Sequence, residues 1–365
     1  MSVSRPAAVI ILAAGEGTRM KSGTPKVLHE ICGNTLLGHV LGTAREPDPV
    51  RLIVVVGHRR REVTEWLAQH APDVQPVVQE RQGGTGHAVR TVIEETGLDH
   101  GTVLVTYADA PLMRGSTLTA LVHEHQAQQA AATVLTARVP DPTGYGRIIR
   151  DESGAFLEIV EQVDATPEQR AVDEINSGVY AFEAHLLGDA VKRVPTDNAK
   201  GEEYLTDVIA ILRAEGHRVA SVTLEDAEEV LGVNDRAQLA RARQILNARL
   251  LSDWMRAGVT IVDPATTWVD TGVRLDRDAE IGPGTQLEGS TTVAAGARVG
   301  PGSLLRDTTV GEGATVTQSV CQQAEIGAGA VVGPFAHLPP GTTVAPGEQA
   351  SGRPEAAPSE GAQNA

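Results

Sequence analysis

At 365 residues and 38.3 kDa the chain exceeds the ~150 residues typical of one domain, so two or three units are expected. A formal charge of -16 excludes a protein that tracks a nucleic-acid backbone with a basic stripe. No apolar run reaches the ~20 residues needed to cross a bilayer, and 41% hydrophobic with only 3% aromatic residues predicts a soluble protein with an aliphatic core.

The apolar run 7–14 reads as a buried first strand rather than a signal peptide. Further β-branched runs at 52–56, 74–78 and 103–106 alternate with helix-like segments, and this α/β punctuation defines a first domain over 1–234. The runs are continuously apolar, as expected of parallel strands covered by helices on both faces. Segment 235–258 contains no Pro and spaces Leu239, Ala242, Ile245, Leu246 and Leu250 for one helical face, which predicts a linker helix capped by the Asn234-Asp235 step.

From Trp268 a six-residue repeat takes over: Val269, Leu275, Ile281, Leu287, Val293 and Val299 in one register, Leu304, Val310 and Val316 in a second, and Val320, Ile326, Val332, Leu338 and Val344 in a third. Hexapeptide periodicity predicts a β-helix over 259–346, each coil burying its aliphatic residues only when neighbours stack on it. The Pro-, Ala- and Glu-rich segment 347–365 has no period and is expected to be a disordered tail. Cys32 and Cys321 lie far apart without metal-ligand spacing, which argues against a disulfide framework or zinc site and for a reducing cytoplasm.

The chemistry concentrates after the first strand, in Leu12-Ala13-Ala14-Gly15-Glu16-Gly17-Thr18-Arg19-Met20 followed by Pro25-Lys26-Val27-Leu28. Small residues let backbone amides approach phosphate oxygens, and Arg19 and Lys26 add positive charge where a pyrophosphate leaving group would develop its negative charge. The Gly-Lys-Ser/Thr ending of a Walker loop is absent. Tyr107-Ala108-Asp109 lies at the carboxyl end of a strand, the expected edge of a ligand crevice, where Asp109 is a metal-ligand candidate or a turn former before Pro111.

The Gly15, Gly17, Arg19 and Pro25-Lys26 pattern resembles the sugar-nucleotide pyrophosphorylases, and Leu-Ala-Ala-Gly with Pro-Lys-Val-Leu-His resembles those bifunctional members that make UDP-N-acetylglucosamine. The resemblance covers about residues 5–345 and implies a Rossmann-like α/β nucleotidyltransferase domain followed by a short left-handed parallel β-helix. It implies that Leu12, Ala13, Ala14, Gly15, Gly17, Gln79, Gln82, Gly84 and Thr85 bind the nucleotide and that Tyr107, Gly146, Glu161 and Asn176 bind the sugar. Asp109 and Asn234, the latter in Gly232-Val233-Asn234, are the implied Mg2+ ligands, and Arg19, Lys26 and Asp109 the implied catalytic residues. The implied reaction joins UTP to N-acetylglucosamine 1-phosphate with release of pyrophosphate.

Departures from the family pattern are Glu16 in the phosphate loop, Ala108 before the aspartate and Gly83 where leucine is usual. Pro339 stands where the resemblance expects a substrate-binding arginine, and the downstream catalytic histidine segment is missing, so no acetyltransferase activity is expected. Two rival readings are a pyrophosphorylase for another sugar or nucleotide and a non-catalytic sugar-nucleotide-binding subunit; retention of Arg19, Lys26, Asp109 and Asn234 weighs against the second. Hexapeptide β-helices commonly pack as trimers, which makes a homotrimer the expected assembly.

Overall fold

The computed structural model describes residues 4–152, 154–198 and 200–352. It divides into two compact units, one of residues 1–29 and 35–242 and one of 30–34 and 243–365. The helix Arg236–Arg256, in the segment expected as a linker, spans the division between the two units.

The first unit is built on one sheet of nine strands. Its main path runs Val219–Leu224, Ala132–Arg138, Glu174–Glu183, Thr102–Tyr107, Ala8–Leu12, Leu52–Val56, Gln75–Val78, and the hairpin Arg147–Arg150/Phe156–Val160 joins at Glu174–Glu183. Continuous apolarity follows from alternation between two covered faces: Ala8, Ile10 and Leu12 enter one core cluster while Val9, Ile11 and Ala13 enter the other. Ala8–Leu12, Leu52–Val56, Gln75–Val78 and Thr102–Tyr107 pair in parallel, as expected. Glu174–Glu183 runs antiparallel to both of its neighbours, so the sheet is mixed rather than wholly parallel.

The second unit is a parallel β-helix whose short strands stack into sheets of six, five and five strands. In each strand one residue of a neighbouring pair points inward, and two positions earlier sits a small buried one, such as Ala279, Ala297, Ala314 and Ala330 before Ile281, Val299, Val316 and Val332. Buried hydroxyls satisfy backbone amides between coils: Thr291 Oγ1 accepts from Thr308 N at 3.3 Å and Ser319 Oγ from Ala336 N at 3.2 Å. The helix Arg236–Arg256 adds Leu251 to this core.

The register differs from the expectation at two places. Leu305 and Cys321 are the buried residues and Leu304 and Val320 are only partly covered, because Leu287, Leu305, Cys321 and Leu338 pair in successive coils. The first register thus runs unbroken to Leu305, and Cys321 fills an inward position as a small hydrophobe. The coils also extend past 346: Gln349–Ala350 pairs with Val331–Val332. The remainder of the expected tail, 353–365, lies outside the described residues.

Candidate active site

The first strand, Ala8–Leu12, is flanked by Leu52–Val56 on one side and by Thr102–Tyr107 on the other, so successive connections leave it in opposite directions. The carboxyl ends at such a switch point open a crevice. There Ala108 N donates to Leu12 O at 3.0 Å and Ala13 N to Val55 O at 2.9 Å, which holds the two departing loops side by side. Gln82 Nε2 donates to Ala14 O at 3.0 Å and ties a third loop to them.

Gly17 has φ +63, and a Cβ there would lie 2.7 Å from Lys26 Cβ, so glycine is required both by the left-handed backbone and by the lysine stem crossing it. Lys26 Nζ contacts Asp109 Oδ2 and donates to Asn234 Oδ1 at 3.3 Å; the Lys26 and Asp109 side chains are only 13% and 21% exposed. Asn234 is placed by its neighbours. Val233 N donates to Asp109 O at 2.8 Å, Asn234 N to Gln238 Oε1 at 2.7 Å, and Gln238 N to the capping Asp235 Oδ1 at 2.8 Å.

One ammonium thus gathers a carboxylate and an amide oxygen, the donor types a hard divalent cation takes. The pair fits Mg2+ bound partly through substrate phosphates. Among the described residues no group of three or more His, Cys, Asp or Glu is arranged to hold a metal by itself.

Twelve of the expected site residues line one cleft of about 440 Å³: Leu12, Ala13, Ala14, Gly15, Lys26, Gln79, Gln82, Gly84, Thr85, Tyr107, Asp109 and Asn234. Five do not. Gly17 backs Lys26, Arg19 is exposed, and Gly146, Glu161 and Asn176 form a separate group. In that group the Cβ position of Gly146 lies 3.6 Å from both Asn176 Cβ and Glu161 Oε1, and Asn176 N donates to Gly146 O at 2.8 Å. Asn176 spends one amide donor on Tyr180 Oη at 2.6 Å and accepts from Gly178 N at 3.1 Å, leaving one donor and one acceptor position on the amide. Gly178 also makes room for Tyr107, whose ring would lie 2.3 Å from a Cβ there.

The cleft wall also holds Val27 and Ala88, which adjoin the motif residues, and two that sequence reasoning missed, Lys200 and Glu202. The last two sit in an irregular segment with no period to flag it. That segment is locked against the 83–86 turn: Glu203 N donates to Gly83 O and Gly86 N to Glu203 O, both at 2.7 Å. Gly84 has φ +104, and a Cβ would come 2.5 Å from Glu203 O. Arg90 clasps Glu203 with bonds of 3.0 and 2.7 Å, which holds the Glu203 carboxyl below its usual range.

Burial dominates the electrostatics elsewhere. It raises the Tyr107 hydroxyl, which bonds Thr85, and raises Glu161, whose Oε1 accepts from Thr206 Oγ1 at 3.4 Å. It lowers His87, leaving a neutral ring whose Nδ1 accepts from Gln79 Nε2 at 2.9 Å; the same amide donates to Gly84 O at 3.0 Å.

The nucleotidyl transferase family model matches residues 8–276. The chain is 58% identical over 344 residues to the bifunctional protein GlmU of Streptomyces avermitilis, covering 94% of this chain and 71% of the relative. The corresponding protein of Thermobifida fusca is 59% identical over 331 residues, 90% of this chain and 68% of the relative. That of Kineococcus radiotolerans is 55% identical over 338 residues, 92% and 69%.

Proposed function

Since the chain belongs to the nucleotidyl transferase family, we propose that it transfers the uridylyl group of UTP to N-acetylglucosamine 1-phosphate and releases pyrophosphate. The observation that carries this reading is the convergence of Lys26, Asp109 and Asn234 in a cleft whose other walls are the glycine-rich loop and the 79–85 loop.

An oxygen of the sugar phosphate attacks the α-phosphorus in line, and the bond from that phosphorus to the β-phosphate bridging oxygen breaks, its electron pair leaving with pyrophosphate. The nucleophile is already an anion at neutral pH, so no general base is needed, and positioning with electrostatics carries the rate. Lys26 stabilises the developing negative charge, with Arg19 reaching the outer phosphates from its exposed position. Mg2+ held by Asp109 and Asn234 would neutralise and align the phosphate groups. Backbone of Leu12, Ala13, Ala14 and Gly15, with Gln79, Gln82, Gly84 and Thr85, would hold the nucleotide; Tyr107, Gly146, Glu161 and Asn176 would hold the sugar.

The relatives are named bifunctional, and no acetyltransferase activity is proposed for this chain, because Pro339 offers no charge where the resemblance expects an arginine. A homotrimer assembled through the β-helix and a cytoplasmic location are proposed with the reading; the two cysteines are buried free thiols, and no helix among the described residues is long and apolar enough to cross a membrane. Sedimentation tests the assembly.

Glu161 gives a pH signature. Its folded pKa is raised by burial, so the carboxylate that accepts from sugar hydroxyls is lost at a higher pH than an ordinary glutamate would lose it. KM for the sugar phosphate is expected to rise as pH falls through that range with kcat less affected, and Glu161→Gln should abolish the pH dependence while raising KM throughout. The substrate assignment is tested by pyrophosphate release with Mg2+ across UTP, dTTP, CTP and GTP and the 1-phosphates of N-acetylglucosamine, glucose, galactosamine and glucosamine. Preference for another pair would keep the chemistry and replace the substrate; no turnover with any pair would favour a binding subunit.

A further inference from the structure

Two of the residues proposed to hold the sugar, Gly146 and Glu161, lie just beyond the hairpin Arg147–Arg150/Phe156–Val160, whose ladder ends at the pair Arg147 and Val160. Past that pair the two chains are joined through side chains. Gln162 Oε1 accepts from Arg147 Nη2 at 2.7 Å and from Gly144 N at 3.3 Å. Arg147 Nη1 donates to Tyr145 O, and Arg170 O accepts from Nε and Nη2, both at 3.4 Å. Arg147 is only 1% exposed, and the acceptors around it are two backbone carbonyls and a carboxamide, all neutral. A buried cation is tolerated only when its donors are matched, so the planar fork dictates where each of these oxygens must stand.

We propose that Arg147 is a positioning residue for sugar recognition: its guanidinium, through Gln162, clasps the 144–146 turn to the 161–164 turn and so sets Gly146 against Glu161. The Cβ position of Gly146 lies 3.6 Å from Glu161 Oε1, a spacing that a loosened clasp would widen. The inference rests on the sugar-phosphate reading of this group. It adds Arg147 and Gln162 as residues that act on the sugar through their neighbours.

The test has two arms. In the first, Gln162→Met removes the shared acceptor at nearly constant size. KM for N-acetylglucosamine 1-phosphate should rise roughly 3- to 10-fold, within the worth of one lost hydrogen bond, with kcat and KM for UTP within about twofold of wild type. Arg147→Lys keeps the charge but not the fork, so it should show the same split, and the double variant should be little worse than either single one. An unchanged KM for the sugar phosphate in Gln162→Met, or an equal rise in KM for UTP, overturns the proposal. The second arm follows amide hydrogen exchange in the unliganded full-length protein. Gln162→Met should speed exchange at 144–146 and 161–164 and leave the helix Leu36–Arg45 unchanged. Unchanged exchange at the two turns overturns the clasp. This arm needs no turnover: if wild type uses no sugar 1-phosphate, the functional reading and the sugar role fall together, while exchange still decides the clasp.

Discussion

Replacing Asp109 by alanine is expected to lower kcat by roughly 10²- to 10³-fold, the usual loss when one preorganised electrostatic group is removed from a transition state. Lys26→Ala should cost a similar factor. The two side chains contact each other, so their effects should be far from additive, and the double variant should be little slower than the worse single one. The fold should survive, because Asp109 holds Val233 through its backbone carbonyl at 2.8 Å and not through its side chain. Steady-state kinetics with thermal unfolding as a control checks this. Turnover within a few-fold of wild type for both single variants would remove these residues from the catalytic assignment.

The β-helix supplies the second large effect. Leu305 is fully buried between Leu287 and Cys321 in the stack, so Leu305→Ala should cost about 2–5 kcal/mol through lost burial and the cavity left behind. Leu304, one residue earlier, points to the other side of its strand and is only partly covered, so Leu304→Ala should cost less than about 1 kcal/mol. Thermal or denaturant unfolding of the second unit reads the difference. Equal losses, or a larger loss at Leu304, would contradict the observed register.

That pair of leucines shows where the sequence was legible and where it was not. The six-residue period announces a β-helix because each coil must present an inward aliphatic residue on every side. It does not fix the register where two apolar neighbours such as Leu304 and Leu305 compete, or where the inward residue is Cys321. In the first unit the parallel strands were legible as apolar runs. The antiparallel course of Glu174–Glu183 was not, because both faces of that strand are covered whichever way it runs.

The cleft was legible where short contiguous motifs carry it: the glycine-rich loop, Pro25-Lys26, the 79–85 loop and Tyr107 to Asp109 all reach its wall. Lys200 and Glu202 escaped notice because their placement depends on Asn198 folding an irregular segment and on Glu203 threading the 83–86 turn, contacts between positions with no shared periodicity. Arg19 belongs to the motif yet stays exposed outside the cleft wall, so its proposed role depends on reaching a bound triphosphate.

The most direct test of the central claim is pyrophosphate formation by the purified protein from UTP and N-acetylglucosamine 1-phosphate, measured with Mg2+ and again with the metal chelated. The account predicts turnover that requires both substrates and the cation and that collapses in Asp109→Ala. Turnover indifferent to chelation, or undiminished in that variant, would contradict it.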